Sequence, residues 1–440
     1  MASVIARFKP YLANSTWLIG ERVASLGIAF LVSIAVARYL GPSDFGFLSY
    51  AISTGSLVAV AGHMGLNGLV VHDLVKQPEQ SRAILGTVFG LKSLAYVLGF
   101  LGMVVLALAT EERGSSRFWI LIVAGASILT RPWEVLSFWF QAKVQSKYTA
   151  IPSVLSQASA AAIRLLMIAL GVGVVGLAGA AVLQAVIFAV LISYYYLVKS
   201  GAKIGEWSFD KTIARQLLVR GGLVFAGAAF GIINVRIDQV MLEWLSGSTE
   251  VGQYSVAATL SEAWYFVPTA IVISVFPRLI NLRQQDEGRY KQRIQQLFDM
   301  LFLIALAVSL IVALVAEPFI SMVYGDAYRN SAAILKIHIF AGVFMFMRAA
   351  FSRWIIIENL LVLSMITQGV GAFMNVLLNL VMIPKWGGAG AAMATLFSYA
   401  TSSYLSLIIH PRSRPIFWIM TKSILAPLRY PYHYIKTLAA

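Results

Sequence analysis

Long apolar runs separated by short polar turns make up almost the whole of this chain. Twelve windows hold about the 20 apolar residues that a helix needs to cross a hydrocarbon core of about 30 Å. They cover residues 15–37, 46–70, 83–109, 117–140, 151–172, 178–198, 217–243, 251–277, 296–323, 332–352, 361–383 and 388–409. The polar stretch KSGAKIGEWSFDKTIARQ lies between the sixth and seventh windows. It reads as a linker between two six-helix lobes, residues 1–205 and 206–410, followed by a tail over 411–440. The expected fold is therefore an all-α polytopic membrane protein of about 12 transmembrane helices in two pseudo-symmetric halves.

The halves also resemble each other. In the stretch ARYLGPSDFGFLSYAIS, residues Gly46, Ser49 and Ala51 fall on Gly252, Ser255 and Ala257 of the later stretch 232–260 at one offset of about 206. GLAGAAVL from Gly176 pairs with GGAGAAMA from Gly387 at an offset of about 211. Two pairs at nearly one offset suggest a duplicated unit, as many membrane transporters have.

Composition removes the soluble alternatives. Of 440 residues 59% are hydrophobic and 12% charged, too apolar for a soluble globular protein of this length. The net charge of +15 sorts by side rather than pointing to nucleic acid. With the N-terminus in the cytoplasm, about 21 Lys and Arg fall on cytoplasmic segments and about 5 on the opposite ones, a strong positive-inside bias. Both termini are then cytoplasmic. Ala35–Ala37 imitates a signal-peptidase site, but Glu21 and Arg22 interrupt the preceding run and the following stretch belongs to the repeat; an uncleaved first span is expected. The run after His410 is too short to span and reads as an interfacial helix with basic and aromatic anchors.

Much chemistry is excluded as well. There is no cysteine, and the five histidines (His63, His72, His338, His410 and His433) lack ligand spacing and read as structural, so no metal site is expected. No phosphate-binding loop of the ATPase kind occurs. The loops, the longest about 20 residues, leave no room for the extramembrane domain of a glycan enzyme. The reading is a transporter without catalytic residues or a cofactor.

The informative residues are charges inside the windows. Once the loop cations are set aside, Arg22, Lys92, Arg131, Arg164, Arg220, Arg236, Lys336 and Arg348 remain. The acids there are Glu21, Glu134, Asp238, Glu243, Glu262 and Glu358. A charge at a helix centre costs roughly 2.5–3.5 kcal/mol on insertion scales. Arg131, Arg164 and Arg348 lie near the middle of their windows, so they should face a wet cavity or a partner. Glu134, three residues on, is a possible partner for Arg131, while Arg220 and Lys336 sit near helix ends and can snorkel. Cations outnumber acids, so pairing cannot neutralise the set, and an enclosed excess predicts an anionic, phosphate- or carboxylate-bearing substrate. Pro132, Pro152 and Pro268 permit the bends of a rocking transporter and also occur in static helices. The aromatic runs RPWEVLSFWF and EAWYFVP fit an interfacial belt better than a sugar platform.

Several stretches together resemble the Wzx-type polysaccharide flippases of the multidrug/oligosaccharidyl-lipid/polysaccharide exporter superfamily over nearly the whole chain. They are ARYLGPSDFGFLSYA, FWFQAKVQSKY, RIDQVMLEWLSGSTEVGQYSVA, FVPTAIVISVFPRL, YGDAYRNSAAILKI and NVLLNLVMIPKWGGAGAAMAT. The resemblance implies two six-helix lobes around a central cationic cavity in the bacterial inner membrane. It implies a monomer that moves an undecaprenyl-diphosphate-linked oligosaccharide between leaflets, with the glycan polymerase and ligase as candidate partners. Lipid II flippases are similar but usually carry fourteen spans, and multidrug extruders of the superfamily favour acidic cavities, so both are the lesser readings. On this basis Arg22, Lys92, Arg131, Arg164, Arg236 and Arg348 are expected to receive the cargo, and Glu21, Asp238 or Glu262 to bind a coupling proton or sodium ion.

Overall fold

The computed structural model describes residues 2–358 and 360–429, without the side chains of 2–13, 15 and 361. The side chains of Arg7 and Lys9, together with Lys436 and the rest of the tail from residue 430, therefore lie outside it. Among the described residues there are helices and turns and no strand. Nine helices among the described residues are long and apolar enough to cross a membrane, or ten if Asp326–His338 and Ala341–Ile357, bent by 44°, form one span. Two of the nine are too long for one crossing: Thr16–Lys76 has 61 residues and Val362–Ile408 has 47. At about 1.5 Å per residue the longer would run roughly 90 Å, three times the hydrocarbon core. Each contains a glycine off the helical conformation, Gly41 and Gly387, and in each the sequence places two windows.

The chain divides into two compact units, residues 1–232 and 233–440. In the first, α1 (Ala2–His63) is interrupted at Gly41, with φ 71° and ψ 174°. Only glycine takes that φ without strain, and Pro42 behind it cannot donate an amide to continue the helix. The unit continues with α2 (Asn67–Lys76), α3 (Ser81–Thr110) and α4 (Ser116–Ala126). A 3₁₀ run, Ser127–Glu134, carrying Pro132, then separates α4 from α5 (Val135–Ala142), so the fourth window is broken in its middle. Next come α6 (Lys147–Ala169), α7 (Val174–Ser200) and the start of α8 (Lys211–Ser246), which runs on into the second unit.

Between α7 and α8 the chain lies along α3. A Cβ on Gly86 would sit 2.5 Å from the Ser208 carbonyl, and one on Gly90 3.0 Å from the Phe209 ring. Small residues four apart thus receive irregular chain rather than another helix. Thr87 accepts the Asp210 amide at 2.9 Å, and Asp210 in turn caps α8. The amides of Ile213 and Thr212 point at its carboxylate and hold it below the usual carboxylate range. Gly86→Leu is expected to destabilise by about 1–3 kcal/mol, because the facing atoms are backbone and cannot yield. The measurement is the melting temperature of the purified protein, which should fall by several degrees.

The second unit opens on the rest of α8 and then α9 (Ser248–Glu262). Gly247 between them has φ 86° and ψ 169°, close to the conformation of Gly41, 206 positions earlier. Then follow α10 (Phe266–Gln285), α11 (Glu287–Tyr324), α12 (Arg329–His338), α13 (Ala341–Ile357), α14 (Leu361–Ser403) and α15 (Arg414–Ile424). α14 is a hairpin that turns at Gly387, φ 51°. Asn375 on one arm donates to Ser398 on the other at 3.2 Å, nearly equidistant from the turn, and Gly390 packs on the Met382 carbonyl. The Glu250 carboxylate accepts the Gly388 amide at 2.7 Å and so caps the second arm, where an anion also suits the helix dipole. The tail, over residues 414–429, packs on α11. Ile416, Phe417 and Met420 join a core with Leu297, Phe298 and Leu301. Asp299 accepts from Ser423 at 2.7 Å and Gln295 at 2.8 Å and pairs with Arg429.

Candidate functional site

Charged side chains inside the spans gather differently in the two units. In the first unit Lys92 on α3 is fully buried, 0% exposed, and its Nζ has no hydrogen-bond partner. The nearest acid is Glu134, whose carboxylate lies 3.7 Å away and is 37% exposed, and the Phe138 ring lies 5.1 Å from the ammonium. The acid in the broken fourth helix thus reaches across to Lys92, not only along its own run toward Arg131. Arg131 is half-buried beside Tyr96, and His63, the last residue of α1, lies within electrostatic range of Glu134, Lys92 and Arg131. Three segments contribute to the cluster: the end of α1 (His63), the middle of α3 (Lys92) and the 3₁₀ run (Arg131 and Glu134).

Glu21 on α1 accepts from Ser153 of α6 at 2.7 Å and from Ser25 at 3.4 Å. Gln157 of α6 donates to the Ser25 carbonyl at 3.1 Å, so Glu21 belongs to a polar seam between two helices. Arg22 is exposed and Arg164 half-buried. Arg220 is held by Asp73, with Nη1 and Nη2 both within 3.3 Å of the carboxylate, and Lys336 pairs with Glu317 at 3.7 Å.

The second unit holds the most enclosed carboxylate, Asp238 of α8, 0% exposed. One oxygen accepts from Asn379 Nδ2 at 2.6 Å; the other takes Tyr254 Oη at 2.7 Å and Thr395 Oγ1 at 2.6 Å. α8, α9 and both arms of the α14 hairpin therefore meet on one acid. Tyr254 also lies 3.3 Å from Nε2 of His338 on α12, whose Nδ1 has no partner. All these partners are neutral or polar rather than cationic. Thr395 has one hydroxyl proton but faces two acceptors, Asp238 and the Ala391 carbonyl at 2.9 Å. Both Asn379 N–H groups are engaged, by Asp238 and Asn375, while its Oδ1 is unpartnered. The cluster is rich in oxygen acceptors and short of protons, which suits a hard monovalent cation or an added proton.

Arg236 and Glu262, both half-buried, lie within electrostatic range of each other in the same unit. Arg348 is only 6% exposed. Its Nη1 donates to the Ser402 carbonyl at 2.9 Å and to Thr367 at 3.3 Å, and its guanidinium lies over Phe351. The carbonyl is one of those left open at the end of α14, so Arg348 ties α13 to α14.

Tyr254, Asn375, Asn379, Thr395 and His338 were not singled out from the sequence as functional residues. A weak signal existed: Asn375 and Asn379 are four apart, on one face of an apolar helix, where an unpaired amide is costly.

A family model described as "Polysaccharide biosynthesis protein" matches residues 11–283, more than half of the chain. The chain is 25% identical over 348 residues to the "Putative O-antigen transporter" of Shigella flexneri, covering 74% of this chain and 80% of that one. Its fold is similar to that of the lipid II flippase MurJ in an inward closed conformation, with a TM-score of 0.69 at 15% identity over 96% of this chain and 93% of that one. It is also similar to an inward-facing multidrug resistance transporter of the MATE family, with a TM-score of 0.63 at 13% identity over 92% and 96% of the two chains. At such identities the two solved structures speak for the fold alone.

Proposed function

The chain belongs to the polysaccharide biosynthesis protein family, and from that premise we propose that it flips a lipid-linked oligosaccharide from the inner to the outer leaflet of a bacterial inner membrane. It is a transporter rather than an enzyme. The observation that carries the cargo class is the retention of cations within membrane helices, Lys92 foremost, fully buried at a cost that a structural role alone does not require. An undecaprenyl-diphosphate anchor would supply the matching anion, its lipid chain remaining in the bilayer. Arg22, Lys92, Arg131 and Arg164 in the first unit, and separately Arg236 in the second, are the candidate receiving residues, while Arg348 is engaged through Nη1 by Ser402 and Thr367 and keeps Nη2 unpartnered.

Translocation needs an energy source, and of Glu21, Asp238 and Glu262 only Asp238 is fully buried. Its proton-poor cage supports the reading that it binds the coupling sodium ion or proton, and that occupancy biases inward against outward states. The glycan polymerase and ligase are the partners expected to use the flipped product.

Depletion of the protein tests the function. Intact spheroplasts are probed with an impermeant lectin or sugar-oxidising reagent, and lysed cells give the total. Surface-accessible lipid-linked oligosaccharide should fall at least severalfold while the total rises. Unchanged surface glycan with a loss of tolerance to cationic dyes would replace this reading with multidrug extrusion.

A further inference from the structure

The pairing of Lys92 with Glu134 is odd in two respects. The ammonium is 0% exposed and holds three donor hydrogens, yet nothing lies within hydrogen-bond distance of it. Its one paired acid among the described residues stands off at 3.7 Å and is 37% exposed. One partner is thus enclosed and under-satisfied, and the other is partly open to the surroundings.

The backbone under Glu134 is itself irregular. It ends the 3₁₀ run Ser127–Glu134, which has already left α geometry around Pro132. Re-aiming a side chain there breaks no continuous α-helical ladder, and such mid-helix stretches often mark hinges. Lys92, by contrast, lies within unbroken α3 with the Phe138 ring against it. Arg131, His63 and the Tyr96 hydroxyl are the other groups in electrostatic range of this cluster, so removing the acid's charge leaves it wholly cationic or neutral, drawn from three segments of the chain.

We propose that Glu134 is a built-in stand-in for the cargo's phosphate: it neutralises Lys92 while the transporter is empty and gives way when a diphosphate takes its place. Phosphate oxygens would make short charge-assisted bonds with Lys92 and Arg131 that the distant carboxylate does not make. The exchange keeps a buried ammonium from ever standing alone, which would be costly. It also makes the empty site reject weak anions, since a ligand must outcompete an acid already in place. The inference rests on the cargo reading above and adds a specificity-determining residue to it.

The test is calorimetric binding of inorganic pyrophosphate, with orthophosphate for comparison, to the full chain in nanodiscs. Glu134→Gln keeps the shape of the side chain and removes the competitor. It should tighten pyrophosphate binding on the order of ten- to a hundredfold, as expected for deleting one like charge several ångströms away in a medium of intermediate dielectric. Lys92→Met should weaken binding, and in the Glu134→Gln/Lys92→Met double variant the gain should vanish. If Glu134→Gln binds pyrophosphate no more tightly while melting like the wild type, Glu134 merely positions Lys92 and the proposal is wrong. Glu134→Gln alone decides the matter should Lys92→Met fail to fold. The two readings fail separately: the spheroplast assay needs no Glu134 variant, and pyrophosphate binding needs no flipping.

Discussion

Asp238→Asn is expected to lower ion-driven translocation by on the order of a hundredfold or more while the protein still folds and inserts. Asparagine has nearly the volume of aspartate and can hydrogen-bond the same neighbours: its carbonyl accepts from Asn379, and its amide can donate to the hydroxyl oxygens of Tyr254 and Thr395. What it lacks is the charge. Removing one member of a buried ion pair costs about 3–5 kcal/mol, and each 1.4 kcal/mol is a factor of ten in affinity. A cation that relied on this carboxylate would therefore no longer bind at working concentrations. The measurement is uptake of lipid-linked oligosaccharide by proteoliposomes under an imposed sodium or proton gradient, with binding of radioactive sodium in parallel. If Asp238→Asn answered both gradients as the wild type does, Asp238 would be structural and the coupling site would lie elsewhere. Glu21 and Glu262 provide the contrast: each is partly exposed, so the same isosteric change should have a smaller effect.

Gly390→Val should be the most damaging single change in the second unit. Gly390 packs on the Met382 carbonyl across the α14 hairpin, and a side chain would meet backbone on the other arm. Overpacking that backbone cannot relax costs about 3 kcal/mol or more, a large part of the net stability of a domain. The consequence reaches the site, because Asn379 and Thr395 sit on opposite arms of this hairpin and both hold Asp238. Prying the arms apart takes at least one of these two partners away from it. The expected result is low membrane abundance and, in whatever protein survives, no sodium response; Gly390→Ala should be milder in both. Normal melting behaviour in Gly390→Val would show that the arms do not pack this closely.

How much of this was legible in advance depends on the kind of information involved. The apolar windows, the all-helical fold and the short loops follow from which residues leave water, and that is written locally along the chain. The break at Gly41 is local as well: it falls in the gap between the first two windows, where a glycine that can take a positive φ precedes a proline that has no amide to donate. The stretches that resemble a flippase family were readable too, and the family model bears the resemblance out.

Partnership was not legible. Glu134 has Arg131 one turn away, yet the ammonium it faces is Lys92, 42 positions earlier and on another helix. Arg348 was expected to face a wet cavity or a partner, and its Nη1 is held by a carbonyl 54 residues on while its Nη2 has no partner. Asp238 stood out as an acid in a membrane helix, but its partners lie 16, 141 and 157 positions away, and ordinary polar residues gave little sign of being gathered there. Hydropathy records the cost of burying a group, one residue at a time. Whether that cost is offset depends on which donors and charges come within about 3 Å. The sequence by itself determined which charges enter the membrane, and only the packing of helices decided which of them are satisfied and which are left to act.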